Sequence, residues 1–290
     1  MIPQAHITAW RAIAPWGDDA QVEQDLVLSR AVVELFADAE LAELLALRGG
    51  TALNKLFIRP ACRYSEDIDL VQVKPGAIGG VLNAIRRRLD PWLGRPKRSS
   101  GEASVTLVYR FESEIQPVRP LRLKTEINTR EHFAVLEHNR LPLRVENPWF
   151  TGQADVTTYA LDELMGTKLR ALYQRRKGRD LFDLWLCLNR GLLDAAQVVA
   201  CFTAYMKHEG RTISRAEFER NLFEKESNPG FLGDIGPLLA AGVNYDVSVA
   251  LALVRDGLVS RLEGDPWRAT SSEPDTDRGR RPRRGKARKK

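Results

Sequence analysis

The amino-acid sequence predicts an α/β protein whose first half mixes strands and helices and whose second half is helical. Three observations support this fold class. The composition, 43% hydrophobic and 28% charged over 290 residues, is that of an ordinary globular protein with one large domain or two modest ones. Segments rich in β-branched and aromatic residues occur up to about residue 150. Beyond that position the apolar residues recur at helical spacing.

The elements of the first half follow from local patterns. Helical periodicity begins near residue 18 and continues to Phe36. A short apolar segment over residues 43–48 stops at Gly49 and Gly50, which is typical of a strand that ends in a tight turn. The other predicted elements are a helix over 51–57, strands over 64–73, 105–111 and 121–128, a helix over 76–89 closed by Pro91, and a strand pair within 133–145.

The second half contains a series of predicted helices and no internal repeat. They cover residues 161–174, 180–189, 194–207, 214–225 and 247–262. These patterns divide the chain into a core over residues 1–150, a helical domain over 151–265, and a basic tail over 266–290 that is predicted to be disordered.

Positive charge is concentrated in that tail. Residues 278–290 carry nine Lys and Arg residues and no acid, so the rest of the chain sums to −3 although the whole has +6. Such a segment can contact the phosphates of nucleic acid, or it can be a solvated end that aids solubility. The sequence favours neither interpretation.

Several classes of protein are excluded by the same sequence. No apolar run approaches the roughly 20 residues that a membrane span needs, and the N-terminus lacks the basic and apolar blocks of a signal peptide. The three cysteines are far apart, odd in number and without zinc-ligand spacing, so no disulfide framework is expected. We therefore expect a cytoplasmic protein with no membrane partner.

Asp67 and Asp69 stand two residues apart in the predicted strand that contains SEDIDLV. Side chains alternate along a strand, so both carboxylates project from one face. Magnesium prefers oxygen ligands and keeps substrate phosphates in its shell, and a paired acidic site can hold one or two such ions. A bare pattern of this kind is common, however, and an exposed acidic strand face would have it too.

The segment upstream makes this motif more specific. A strand, then Gly49-Gly50-Thr51, then the start of a helix leaves backbone N–H groups free to face an anion. Glycine lets a phosphate approach the backbone, and the Thr51 hydroxyl can donate one more hydrogen bond. Taken alone, a plain turn is the simpler interpretation. Together with Asp67 and Asp69, the segment predicts a triphosphate clamp that faces a metal site.

Two further residues fit a site of this kind. Glu126 lies on the polar face of the predicted strand over 121–128, and it could supply a third metal-binding carboxylate if that strand neighbours the paired aspartates. Lys168 lies on the apolar stripe of the helix over 161–174, where an unpaired ammonium is costly. A nucleotide phosphate or a carboxylate would be its partner. A polar outer sheet face and a snorkelling lysine are the alternative explanations.

The next predicted helix has two aspartates in an apolar segment. Asp180 suits the N-cap or the first turn, and Asp183 is set among large apolar side chains. A salt bridge to Lys168 or to a nearby arginine would explain Asp183 without an active-site role. The basic loop over 175–179 can receive phosphates or an RNA backbone, or it can be a solvated turn.

Taken together, these motifs resemble a known family. The run LRGGTALNKLFIRPACRYSEDIDLV, followed by LKTEI and then by LMGTKLRALYQRRKGRDLFDLW, is similar to the AbiEii/AbiGii toxins, including the MenT-type toxins of toxin–antitoxin systems. The resemblance covers scattered blocks over residues 44–190. It implies a polymerase β-like nucleotidyltransferase domain with a mixed sheet, followed by a helical domain that contributes Lys168 and Asp180 to the site. The basic tail is not part of the family pattern.

The resemblance also implies roles for individual residues. Asp67 and Asp69 would bind Mg²⁺, and Lys168 would contact the triphosphate of the NTP substrate. The acid that completes the catalytic network is Asp180 or Asp183, with Asp180 favoured because it adjoins the arginine of the RDLFD block. The residues implied in holding the nucleotide are Gly49, Gly50, Thr51, Ser65 and Arg63.

Three functions are compatible with these residues. The first is a toxin that transfers NMP from an NTP to the 3′ end of tRNA, blocks aminoacylation and translation, and acts beside a cognate antitoxin, as the family implies. The second is the same chemistry on a protein or a small molecule, although the basic loop and tail favour an RNA acceptor. The third is a non-catalytic protein that binds nucleotide or RNA. The intact aspartate pair and the inward Lys168 argue against the third.

Overall fold

The computed structural model describes residues 2–268, and a seven-stranded sheet forms the centre of this part of the chain. In chain order its strands are β1 (Leu45–Arg48), β2 (Asp67–Gln72), β3 (Lys97–Ser100), β4 (Ser104–Glu112), β5 (Pro120–Asn128), β6 (Asn139–Asn147) and β7 (Phe150–Thr158). Their spatial order is β3-β4-β5-β2-β1-β7-β6. The β1–β7 and β2–β5 pairs are parallel and the other pairs are antiparallel, so the sheet is mixed, as predicted.

The helices of the first half pack mainly against one face of this sheet. Helix α2 is buried along most of its length because it lies between the sheet and its neighbouring helices. Gly94 ends the last of these helices with a φ of +76°, which a residue with a side chain rarely adopts. The first-half helices are α1 (Gln4–Trp10), α2 (Asp19–Phe36), α3 (Ala39–Leu44), α4 (Gly49–Ala52), which continues as a π-helical turn over Leu53–Phe57, and α5 (Ile78–Leu93).

The second half is helical after β7, as predicted. Its helices are α6 (Leu161–Gln174), α7 (Gly178–Asn189), α8 (Ala195–His208), α9 (Arg215–Glu226), α10 (Pro229–Leu232) and α11 (Val247–Gly257), with short 3-10 turns at Gly236–Leu238 and Val259–Arg261. Ser214 and Glu217 form a capping box at the start of α9. The buried Lys225 of α9 donates hydrogen bonds to the last carbonyls of α6, including that of Tyr173 at 3.1 Å. Within residues 2–268, no helix has the length and apolar character of a membrane span.

The observed elements differ from the predicted ones in several places. Strand β2 begins at Asp67 rather than near residue 64, because the N–H of Tyr64 donates to the carbonyl of Leu238 at 2.7 Å instead of joining the sheet. Helix α5 continues through Pro91 to Leu93, which is buried. The strand pair predicted within 133–145 lies further along the chain, as β6 and β7. Helix α1 and strand β3 were not predicted, and the tail beyond residue 268 lies outside the described residues.

Candidate active site

The paired aspartates lie on the middle strand of the sheet and on one face of it. The strand register places Asp69 between Arg48 of β1 and Glu126 of β5, and it places Asp67 opposite Lys124 of β5. These side chains line a cavity of about 370 Å³, and helix α6 and the loop after it form the facing wall. Other residues that line this cavity are Gly49, Gly50, Arg63, Ser65, Lys168, Arg170, Arg175 and Arg179.

Two glycines allow the turn after β1 to lie directly beside the aspartates. Gly49 has a φ of +76°, and a Cβ placed there would collide with the carboxylate of Asp69. A Cβ on Gly50 would collide with the guanidinium of Arg63 and lie 2.9 Å from the hydroxyl oxygen of Ser65. Neither position can therefore carry a side chain without displacing a residue of the cavity.

Thr51 is fully buried and holds the beginning of β2. Its hydroxyl hydrogen-bonds the backbone carbonyl of Asp67 at 2.5 Å and lies 3.1 Å from the hydroxyl oxygen of Ser65. Ser65 lines the cavity, whereas Thr51 lies behind it. The structure thus gives Thr51 a part in positioning Asp67, and its contact with a phosphate stays a prediction.

The two carboxylates of β2 are poorly compensated by their own surroundings. Burial raises the pKa of Asp69, and the charge of Asp67 raises it further. Burial also raises the pKa of Asp67, against the opposing charge of Lys124. Among the described residues, Asp67 Oδ1 is buried and has no hydrogen-bond partner. A divalent cation fits this arrangement, because its charge would offset both the repulsion and the burial.

Glu126 faces the same cavity but is already paired. Its carboxylate lies 2.7 Å from Lys124 Nζ, which is also 3.6 Å from Asp67 Oδ2. Over residues 2–268, no three His, Cys, Asp or Glu side chains are arranged to hold one metal ion. The third metal ligand therefore stays a prediction, and this arrangement of side chains does not favour it.

Lys168 is buried between the two aspartates of α7. Its Nζ lies 3.2 Å from Asp180 Oδ1 and 3.0 Å from Asp183 Oδ2. Arg175 donates two further hydrogen bonds to Asp180, at 2.7 and 2.9 Å. Burial alone would raise the pKa of Asp180, but the charges of Lys168 and Arg175 outweigh it and lower this pKa to about 2. Both α7 aspartates contact the lysine, so both predicted acids lie directly behind Lys168, and neither lines the cavity itself.

Arg63 touches the cavity, yet its guanidinium is engaged elsewhere. Its Nε and Nη2 donate to the two carboxylate oxygens of Asp183 at 2.6 and 2.7 Å, and its Nη1 donates to the carbonyl of Tyr64 at 2.9 Å. Arg63 is 2% exposed and Asp183 is 0% exposed, so the pair is shielded from water. This ion pair joins the segment before β2 to α7. The contact of Arg63 with a nucleotide stays a prediction.

A second charged network at the cavity was not predicted. Glu131 accepts hydrogen bonds from Arg48 at 2.5 Å and from Arg170 at 2.8 Å, and it thereby links β1 to α6. Arg170 also donates to Glu209 at 2.9 Å. Arg48 directly precedes the two glycines and Arg170 follows Lys168 by two residues. Neither position has a local pattern that distinguishes it from a surface arginine, so only the tertiary contacts identify this network.

Comparison with known proteins places this geometry in a family. The family model described as nucleotidyl transferase AbiEii toxin, type IV toxin–antitoxin system, matches residues 30–252. MenT4, a nucleotidyltransferase toxin from Mycobacterium tuberculosis H37Rv, has a similar structure, with a TM-score of 0.65, 17% identity and 91% of each chain covered. JHP933 from Helicobacter pylori has a TM-score of 0.53 and 17% identity, over 83% of this chain and 90% of that chain. No curated protein matches the chain by sequence.

The two solved structures share the fold with this chain, and the family model carries the assignment. Its match includes the glycine turn, β2, β5, α6 and α7, which supply the walls of the cavity. The resemblance inferred from the sequence motifs is therefore confirmed. This chain is a nucleotidyltransferase and belongs to the AbiEii toxin family.

Proposed function

We propose that this nucleotidyltransferase transfers NMP from an NTP to the 3′ end of tRNA, which blocks aminoacylation and stops translation. The proposal includes Mg²⁺ as the cofactor, a cognate antitoxin as a partner and the cytoplasm as the location. One observation carries it: a single cavity has Asp67 and Asp69 on one wall, and Lys168 and basic side chains of the α6–α7 region on the other. A magnesium-bound nucleotide is a ligand whose charges match both walls.

The residues of the two walls have different tasks in this proposal. Lys168 and Arg175 bind the negative charge of the triphosphate, while the aspartates of α7 hold these two cations in place. Asp67 and Asp69 would hold one or two magnesium ions, which would supply charge stabilisation at the α-phosphate and at departing pyrophosphate. The acceptor hydroxyl oxygen bonds to the α-phosphorus while the bond from that phosphorus to the α–β bridging oxygen breaks. Pyrophosphate leaves with that oxygen, and the hydroxyl proton passes to solvent water.

The same proposal divides the chain into two functional segments. Residues 1–150 form the nucleotidyltransferase core, and residues 151–265 form a helical domain that contributes Lys168 and Asp180. By this division strand β7 belongs mainly to the second segment. It is nevertheless part of the sheet of the first segment, because it pairs with β1 and with β6.

A tRNA acceptor is supported by the charge around the cavity. Arg175 and Arg179 line it, and Arg176 and Lys177 of the same loop are exposed. The backbone phosphates of an RNA end would bind to such a rim. A protein or small-molecule acceptor has less use for these charges, and it is the alternative that the experiment must distinguish.

The direct test is incubation of the purified protein with Mg²⁺, each α-labelled NTP in turn, and deacylated tRNA. We expect one NTP to label the tRNA, and we expect the labelled tRNA to be no longer chargeable. Asp69→Ala is the control for contaminating activity and should transfer no label. If whole lysate is supplied and the label appears only on a protein or a small molecule, that molecule rather than tRNA is the acceptor. Nucleotide binding with no transfer to any acceptor would contradict the proposal.

Gly49→Ala is expected to reduce transfer strongly and to destabilise the fold by about 1–3 kcal/mol. The substitution combines a strained positive φ with a collision against the carboxylate of Asp69. Asp69 must then move away from its place beside Asp67. Rates of label transfer and thermal unfolding, measured on the same preparations, check both effects.

Gly94→Ala is the matched control for this prediction. Gly94 has the same φ of +76°, but nothing lies within 4 Å of a Cβ added there. We expect Gly94→Ala to be destabilised by its backbone conformation only and to keep the wild-type rate of transfer. If both alanine variants were equally active, the close approach of Gly49 to Asp69 would have no functional importance.

A further inference from the structure

The face of the sheet that carries the aspartate pair is open over β3, β4 and β5. Side chains on the opposite face of these strands, such as Leu107, Tyr109 and Leu123, are buried in the core that the first-half helices complete. Side chains that alternate with them, on the aspartate face, are half-buried or exposed. A largely polar surface, which includes the half-buried Val108, therefore extends from the cavity to the β3 edge of the sheet.

Four cations lie on this surface, which we call the basic strip: Lys97, Arg110, Arg122 and Lys124. The register places Lys97 opposite Val108, and Val108 opposite Lys124, which itself lies opposite Asp67. Two residues away from the pair of Val108 and Lys124 along β4 and β5, Arg110 lies opposite Arg122. Neighbouring strands are about 4.8 Å apart and successive rows about 6.7 Å apart. The strip thus begins beside the aspartate pair of β2 and extends over three further strands, β5, β4 and β3.

The charges of the basic strip are only partly balanced by the described part of the chain, since Lys124 is paired with Glu126 and the other three cations have weaker partners or none there. Arg110 and Arg122 lie directly opposite each other on the neighbouring strands β4 and β5, and like charges in that position repel. The acid nearest to Arg122 is Glu66, at 3.6 Å, and the Arg122 side chain is 59% exposed. Over residues 2–268, neither Lys97 nor Arg110 has an ion-pair partner, and both are exposed. An anionic ligand would remove this repulsion.

We propose, on the basis of the function proposed above, that the basic strip binds the sugar-phosphate backbone of the RNA acceptor. A nucleic-acid strand presents phosphates at regular intervals, and cations spread over successive rows can contact several of them. The strip ends at Asp67, beside which the 3′ hydroxyl has to lie during transfer. The nucleotide triphosphate binds on the other side of the cavity, at Lys168 and Arg175, so the two substrates enter from different directions.

The test is the double variant Lys97→Gln/Arg110→Gln, compared with Arg140→Gln/Lys207→Gln. Lys97 and Arg110 do not line the cavity, so nucleotide binding should be intact. Arg140 is exposed on β6, at the opposite edge of the sheet, and Lys207 is exposed on α8, so the control loses the same charge elsewhere. The measured quantities are kcat, KM for NTP and KM for deacylated tRNA, each between about 50 and 200 mM salt.

In the strip variant we expect KM for tRNA to rise on the order of tenfold, with KM for NTP unchanged. The slope of log KM for tRNA against log salt concentration should fall by about 1.4 to 1.8, since each lost phosphate contact contributes about 0.7 to 0.9. The control variant should behave like the wild type. A strip variant with the wild-type KM and the wild-type salt slope would overturn the inference.

Fluorescence polarisation with fluorescein-labelled tRNA separates this inference from the proposed function. If the wild-type enzyme transfers no label to any RNA, the proposed acceptor is wrong, yet polarisation still tests the strip. Weaker binding by the strip variant than by the control variant supports the strip as an RNA surface. Equal binding by the two variants, or no binding by the wild type, overturns it.

Discussion

Asp69→Asn is expected to lower nucleotidyl transfer on the order of a thousandfold and, at the same time, to raise the melting temperature. The loss of activity follows from the removal of one of two charges that would hold magnesium. The gain of stability follows from the electrostatics of the apo protein, because burial and the neighbouring Asp67 disfavour the ionised form of Asp69. Asparagine keeps the shape of the side chain and removes that charge.

This stability effect has a defined pH dependence. The ordinary pKa of 3.8 applies to Asp69 in the unfolded chain, and the pKa in the folded protein is higher. Between the two values the folded state binds more protons than the unfolded state, so wild-type stability falls as the pH rises through this window. The advantage of Asp69→Asn should therefore be absent at pH values below the unfolded pKa and complete above the folded pKa, including at neutral pH.

Thermal unfolding followed by circular dichroism, in EDTA and in excess magnesium, measures both parts of this prediction. Magnesium should raise the melting temperature of the wild type and not that of Asp69→Asn, because a ligand stabilises only the state that binds it. Asp155→Asn is the matched control, since Asp155 is an exposed aspartate on strand β7 of the same sheet. If Asp69→Asn melted below the wild type in EDTA at neutral pH, the charge of Asp69 would not be destabilising in the apo protein. If the variant responded to magnesium as the wild type does, the metal site would have to lie elsewhere.

Asp183→Leu is expected to lower the free energy of unfolding by about 3–5 kcal/mol, because it leaves the guanidinium of Arg63 buried without its carboxylate. Arg63 would keep only the carbonyl of Tyr64 as an acceptor. Lys168 would keep Asp180 as its partner, so the lysine is less affected. At about 2–4 °C per kcal/mol the melting temperature should fall by about 6–20 °C.

A second substitution distinguishes the loss of an ion pair from general damage. Arg63→Met combined with Asp183→Leu should be more stable than Asp183→Leu alone, because it removes the unpaired charge as well. Glu224→Ala breaks the exposed Arg220–Glu224 pair and should cost at most about 0.5 kcal/mol. Transfer activity in the double variant would assign Asp183 to positioning and leave Asp180 as the acid that holds Lys168. A double variant as unstable as Asp183→Leu would contradict the buried-charge explanation.

Local sequence patterns were sufficient for much of the fold. Alternation along β2 predicts that Asp67 and Asp69 share a face. Glu126 was a candidate on the condition that its strand neighbours theirs, and the register of β5 beside β2 meets that condition. Apolar periodicity located the main helices of the second half to within a few residues. These features depend on residues close together in the chain, where strand and helix geometry fix the directions of the side chains.

The remaining features depend on contacts that no local pattern contains. Tyr64 leaves the sheet because its N–H reaches Leu238, and Thr51 turns away from the cavity because the carbonyl of Asp67 lies within reach of its hydroxyl. The family resemblance implies the nucleotide substrate as the partner of Arg63. Its partner in the fold is Asp183, at a separation of 120 residues.

That separation has a consequence for the synthesis of the protein. A ribosome-bound chain that has reached the end of β5 contains both aspartates of β2, but it lacks Lys168 and the carboxylate that Arg63 needs. At about 5–20 residues per second, the ribosome needs about 6–24 s to add the 120 residues between Arg63 and Asp183. The cavity is incomplete during this interval, so the nascent chain cannot carry out nucleotidyl transfer before α6 and α7 have been synthesised.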